Sequence, residues 1–158
     1  MPEFPIVSKD TSDLRRVTFY DKCSDNLVRE VMKILETVLY AEDLEKSREF
    51  YEDVLGMEVI SFDPARDLFL RLDGSVLIIF KASKTVIADS GVPPHGTTGI
   101  GHAAFLATET ELSEWKTKLE QHGVQITKEI MWRNGAKSIY FNDPADNVLE
   151  FATPNLWF

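Results

Sequence analysis

The chain has 158 residues, the length of one ordinary domain, with 44% hydrophobic and 27% charged residues. Its formal net charge of -9 argues against nucleic acid and anionic membrane surfaces as partners, and leaves small neutral or cationic molecules and metal cations. The single cysteine, Cys23, excludes an intrachain disulfide and a thiolate zinc cluster. With no signal-type segment in "MPEFPIVSKD" and no aliphatic or aromatic run longer than "VLIIF", a soluble, cytoplasmic protein is expected.

Residues 1–32 are polar, charged and weakly periodic, and are read as an N-terminal extension. Within it "DNLVREVMK" predicts one short helix with Leu27, Val31 and Met32 on a face. Residues 33–157 are read as a single domain. "ILETVLY" is a strand by its β-branched and aromatic content. "DLEKSREFYEDVLG" is an amphipathic helix with Leu44, Tyr51, Val54 and Leu55 inward and Phe50 beside them. Asp43 caps its start and Gly56 its end. "MEVISF", "DLFLRL" and "SVLIIFK" are strands, separated by turns at "DPAR" and "DG". The Gly-, Pro-, Ser- and Thr-rich "ASKTVIADSGVPPHGTTG" is read as a loop-type linker.

After the linker the pattern returns. "IGHAAFLA" is a strand. "TETELSEWKTKLEQHG" is a helix with Leu112, Trp115 and Leu119 inward, a capping box at Thr108 and Glu111, and a stop at Gly123. "VQITKEI", "KSIYFN" and "NVLEFA" supply three more strands. The two copies match at an offset of about 66 residues, which sets Glu36 on His102. The fold class is α+β. Module one spans about 33–82, the linker 83–98 and module two about 99–153. Two four-stranded sheets with helices outside would enclose a concave space.

Three polar residues interrupt otherwise apolar strands: Glu36, His102 and Glu150. Alternation puts Glu36 with Ile34, Val38 and Tyr40, and His102 with Ile100, Ala104 and Leu106. Glu150 points away from Leu149 and Phe151, which suit packing under a helix. All three are expected on the inner face. One imidazole and two carboxylates converging there outline a site for one divalent metal: zinc, nickel, manganese, cobalt or iron(II). Three protein ligands would leave positions open for substrate. The plainer alternative for each, taken singly, is a solvated or salt-bridged strand residue.

"LETVLYAEDLEKSREFYEDVLGMEV", "GIGHAAFLA" and "SIYFNDPADNVLEF" together resemble the vicinal oxygen chelate superfamily. Glyoxalase I, bleomycin-resistance proteins, fosfomycin-modifying thiol transferases and extradiol dioxygenases belong to it. The resemblance implies two βαβββ modules around a metal cup, with ligands on the first and last strands of each. Carried over, these are Glu36, His102 and Glu150; the last-strand position of module one lies in "LIIF" and is apolar. The family turn has glycine where Asp146 stands, and aspartate tolerates the left-handed conformation. Tyr140 matches an inward tyrosine of the thiol-transferase branch, with a core aromatic as the other reading. Arg71 and Trp132 are carried as substrate-binding candidates at the cup entrance, beside Arg133, against ordinary surface placement. His95 is a candidate lid or additional ligand against a solvated loop histidine. His122, at a helix end, suits the dipole and is given no catalytic role.

The leading expectation is a metal-dependent, glyoxalase-like lyase or isomerase, with Glu150 or Glu36 as the base, acting as a homodimer on a small molecule that chelates the ion. The alternatives are a metal-free ligand-sequestering protein of the bleomycin-resistance type and an iron(II) extradiol-type dioxygenase.

Overall fold

Strand, helix and three strands follow one another twice in a computed structural model that describes residues 33–87 and 92–157, all within one unit beginning at Lys33. The helix expected in "DNLVREVMK" falls, but for Lys33, outside the described residues. Module one contains β1 (Glu36–Tyr40), α1 (Leu44–Glu49), β2 (Val59–Asp63), β3 (Asp67–Leu72) and β4 (Ser75–Phe80), followed by the short α2 (Ala82–Thr85). Module two contains β5 (His102–Leu106), α3 (Glu109–Gln121), β6 (Ile126–Met131), β7 (Lys137–Asn142) and β8 (Val148–Ala152). The sheet orders are β1-β4-β3-β2 and β5-β8-β7-β6. In each, the first strand lies parallel to the last and the other pairs are antiparallel.

The register makes the repeat exact enough to compare side chains. Val38 pairs with Ile78, which pairs with Phe69; at the matching place Ala104 pairs with Glu150, which pairs with Tyr140. Alternation sends the intervening residues to the other face, where Leu39, Leu68, Leu77 and Ile79 of one sheet and Phe141, Leu149 and Phe151 of the other join one buried cluster. Phe151 stacks on Trp115 of α3 with ring centroids 4.4 Å apart. Both helices start where the sequence says: Asp43 accepts from the Lys46 N–H, and Thr108 with Glu111 forms the reciprocal capping box.

Three local expectations change. The first helix does not stay α-helical: Phe50–Val54 form a π-turn, and the Leu55 N–H donates to the Phe50 carbonyl at 3.1 Å. Residues five apart diverge on an α-helix but share a side of the wider π-turn. Phe50, Tyr51 and Leu55 are thereby all buried. The strands begin at Glu36 and His102, so Ile34 and Ile100 precede them and stand exposed. The linker opens as a helical turn, α2, with the buried Thr85 hydroxyl bonded to the Ala82 carbonyl.

A buried polar clamp joins the modules. The Tyr51 hydroxyl donates to Asp143 Oδ2 at 2.8 Å. Asn147 donates through Nδ2 to Asp143 Oδ2 at 2.8 Å and to the Tyr40 carbonyl at 3.1 Å, and its Oδ1 accepts the Gly101 N–H at 2.9 Å. Gly101 has no room for a side chain, since a Cβ there would lie 2.6 Å from Asn147 Oδ1 and 2.8 Å from Leu39 Cδ2. Asp146 takes the left-handed conformation expected of the turn, with φ 65°.

Candidate metal and ligand site

His102 opens β5, and Glu150 lies at the centre of β8 next to it in the sheet. The imidazole Nδ1 is 2.9 Å from the Val148 carbonyl, which can only accept, so Nδ1 carries the proton and Nε2 is the atom left to ligate. A backbone hydrogen bond of this kind is the usual device for fixing a ligating histidine. Nε2 lies 3.4 Å from Glu150 Oε2.

Glu150 is buried, 5% exposed, and its Oε1 has no hydrogen-bond partner. Burying a carboxylate oxygen without a donor is costly, and such groups concentrate at sites completed by something else. A cation held between this carboxylate and the His102 Nε2 would compensate it, so the residues fit a divalent ion. Tyr140 is half-buried across the strand pair from Glu150, its ring 6.4 Å from that of His102. Burial first, then a hydrogen bond to Glu150 and that group's charge, push the Tyr140 phenol above its ordinary value. It keeps its proton and remains a donor.

Glu36 is placed differently. It is the exposed first residue of β1, beside Val76. Among the described residues no three His, Cys, Asp or Glu side chains converge, so Glu36 does not join His102 and Glu150 within one chain. Alternation assigns residues of one strand to a face, but does not say which residues of other strands share a site with them. The module-one counterpart of Glu150 is Ile78, buried among Val38 and Phe69, so that sheet offers no acidic ligand there.

A groove of about 370 Å³ adjoins the pair, lined by His102, Glu150 and Tyr140 with Leu106, Trp132, Leu156 and Trp157 among others. Trp132 is therefore at the site, its indole N–H donating to the Ser138 hydroxyl at 2.8 Å. Arg133 lines an adjoining hollow shared with both tryptophans. Arg71 is ion-paired to Glu58 at 2.9 Å and lines a separate hollow with Asp73 and Gly74. His95 belongs to module one's surface, bonded to the Tyr40 hydroxyl at 2.8 Å and packed edge-on against Phe80. His122 bonds back to the Lys118 carbonyl at the end of α3.

Sequence reasoning missed Leu156 and Trp157, which follow β8 through the short turn Pro154–Leu156. Two large apolar residues after the last strand, in "PNLW", were the available signal. It also missed Asn147, whose turn position gives no hint that its amide spans two modules.

Residues 33–151 match the family model described as the Glyoxalase/Bleomycin resistance protein/Dioxygenase superfamily. The chain is similar to a lactoylglutathione lyase from Agrobacterium tumefaciens, at 36% identity and a TM-score of 0.76, over 79% of this chain and 96% of that one. It is also similar to an integron cassette protein from the mobile metagenome of the Halifax Harbour sewage outfall, at 26% identity and a TM-score of 0.62, over 78% of this chain and 99% of that one. A glyoxalase/bleomycin resistance protein/dioxygenase from Nocardioides shares the fold at 23% identity and a TM-score of 0.63, over 80% of this chain and 86% of that one.

Proposed function

Since the chain belongs to the Glyoxalase/Bleomycin resistance protein/Dioxygenase superfamily, we propose that it is a metal-dependent lyase or isomerase of the glyoxalase type. Its substrate is a small molecule presenting two neighbouring oxygens. The observation that carries this is the buried, unpartnered Oε1 of Glu150 beside the oriented His102. The groups that would hold one zinc, nickel, manganese, cobalt or iron(II) ion are His102 and Glu150, with Glu36 of the partner subunit. When bound, the ion supplies Lewis acidity, which acidifies a C–H next to a chelated carbonyl.

The chain's own groups do the rest. The Glu150 carboxylate takes the proton from the hydroxyl-bearing carbon and returns it to the neighbouring carbon. The matching transfer between the two oxygens is served by Tyr140, which is held protonated and lies beside Glu150. Glu36 is the alternative base. The homodimer is supported by Ile34, Leu35, Ile100 and Leu106, all exposed near Glu36 or His102 in the chain.

Metal analysis of purified protein after exposure to the five ions is the first test. Turnover is then sought with thiol hemithioacetals of 2-oxoaldehydes, next with 2-hydroxycarbonyl compounds. Ring cleavage of catechols with iron(II) and oxygen, without isomerisation, would transfer the assignment to the dioxygenase type. The apolar groove also favours a second reading, a metal-free ligand-sequestering protein; failure to take up any of the five ions would select it.

A further inference from the structure

The groove beside His102 and Glu150 says more about the ligand than the pair itself does. Its described lining includes neither lysine nor arginine, and its single carboxylate is that of Glu150. Trp132, Trp157, Tyr140 and His102 contribute ring surfaces, and Leu106 and Leu156 contribute aliphatic ones. Trp132 is pinned by its bond to Ser138, so its face is set before a ligand arrives. The volume, about 370 Å³, lies at the small end of the roughly 300–1,000 Å³ usual for ligand sites. A glutathione conjugate would bring two carboxylates against aromatic and aliphatic walls that, among the described lining residues, hold no lysine or arginine to pair with them. That arrangement is unfavourable.

We propose that this groove receives the body of the substrate, and that the body is flat and uncharged, an aromatic or conjugated ring system stacked against Trp132 and Trp157. The inference rests on the glyoxalase-type reading for the chelating end of the substrate, but not for the groove. Trp132 and Trp157 are specificity-determining residues here, and the ligand class differs from a peptide thiol conjugate.

The groove is tested without metal by calorimetric titration of the whole chain with 2-naphthol and with 2-naphthoate. Binding of 2-naphthol is expected, with 2-naphthoate at least tenfold weaker. Trp132→Ala and Trp157→Ala should each weaken 2-naphthol by about tenfold, the scale of one aromatic contact. Trp157 is 81% exposed, so its removal leaves the fold intact and keeps the test valid if Trp132→Ala misfolds. Affinity unmoved by either change, competition by S-methylglutathione, or 2-naphthoate binding that is the tighter and falls in Arg133→Ala would overturn the proposal. So would loss of 2-naphthol binding as protein concentration rises through self-association, which would make the groove an interface. In zinc-loaded protein, benzohydroxamate should bind about tenfold tighter than acetohydroxamate, and the tryptophan variants should erase that difference. Equal affinity of the two would count against the groove. Failure to take up any of the five ions would sink the metal reading alone, while 2-naphthol still decides this one.

Discussion

Glu150 places a charge in a buried position and leaves one of its oxygens without a donor. In the metal-free chain that is a cost, and glutamine of the same shape removes the charge. Glu150→Gln is therefore expected to raise the melting temperature of metal-free protein, by about 1 kcal/mol of stability or more, while abolishing most turnover. Unchanged or lower stability of the metal-free variant would mean that the carboxylate is already compensated. His102→Ala should have the complementary signature: little change without metal, since the imidazole is half exposed, and loss of metal-induced stabilisation in a thermal shift. That Glu150 and His102 are odd residues was visible in the sequence, because each breaks a run of apolar neighbours. That Oε1 is orphaned was not, because whether a donor reaches it depends on how β5 with His102 and β7 with Tyr140 flank β8.

At the level of elements, the π-turn and the Asp143–Asn147 turn form one mechanical unit through the Tyr51 hydroxyl. Burial, then the charge of Asp143 and the bond to it, push the Tyr51 phenol well above 10.0. The folded chain thus holds this proton more tightly than the unfolded one. The resulting stability is complete below about pH 10 and is lost as pH climbs toward the higher folded value. Melting temperature should fall above about pH 10 in the wild type, and less steeply in Tyr51→Phe, which itself should cost about 1–2 kcal/mol at neutral pH. Parallel alkaline profiles would show that Tyr51 does not govern this loss. The elements were readable because hydrophobic period and capping residues agree, as at Thr108 and Glu111. The π-turn was not, since "EFYEDVL" satisfies helical spacing and only the need to bury Phe50 beside Leu55 widens it.

For the whole molecule, the proposed site is shared between copies, and this has a quantitative test. Glu36→Ala and His102→Ala homodimers should each lack activity. Mixed and allowed to exchange, they should recover about a quarter of the wild-type value, because half the dimers are hybrids with one intact site of two. No recovery in a mixture shown to exchange subunits would place Glu36 outside the site. The sequence carries both halves of this arrangement but no signal for their meeting, since strand alternation is blind to which surfaces meet across two chains.

The repeat is also unequal: where one sheet centres on Glu150 and Tyr140, the other centres on Ile78 and Phe69. That inequality acts as a key. Two copies facing each other through their second sheets would press two buried carboxylates together, and through their first sheets would offer no ligand at the centre. The proposed dimer instead sets the oily half of one copy against the acidic half of the other, and a twofold axis closes such an arrangement after one step. The stoichiometry follows: a saturated dimer should hold two ions, one for each chain, although each chain contains two copies of the same architectural unit.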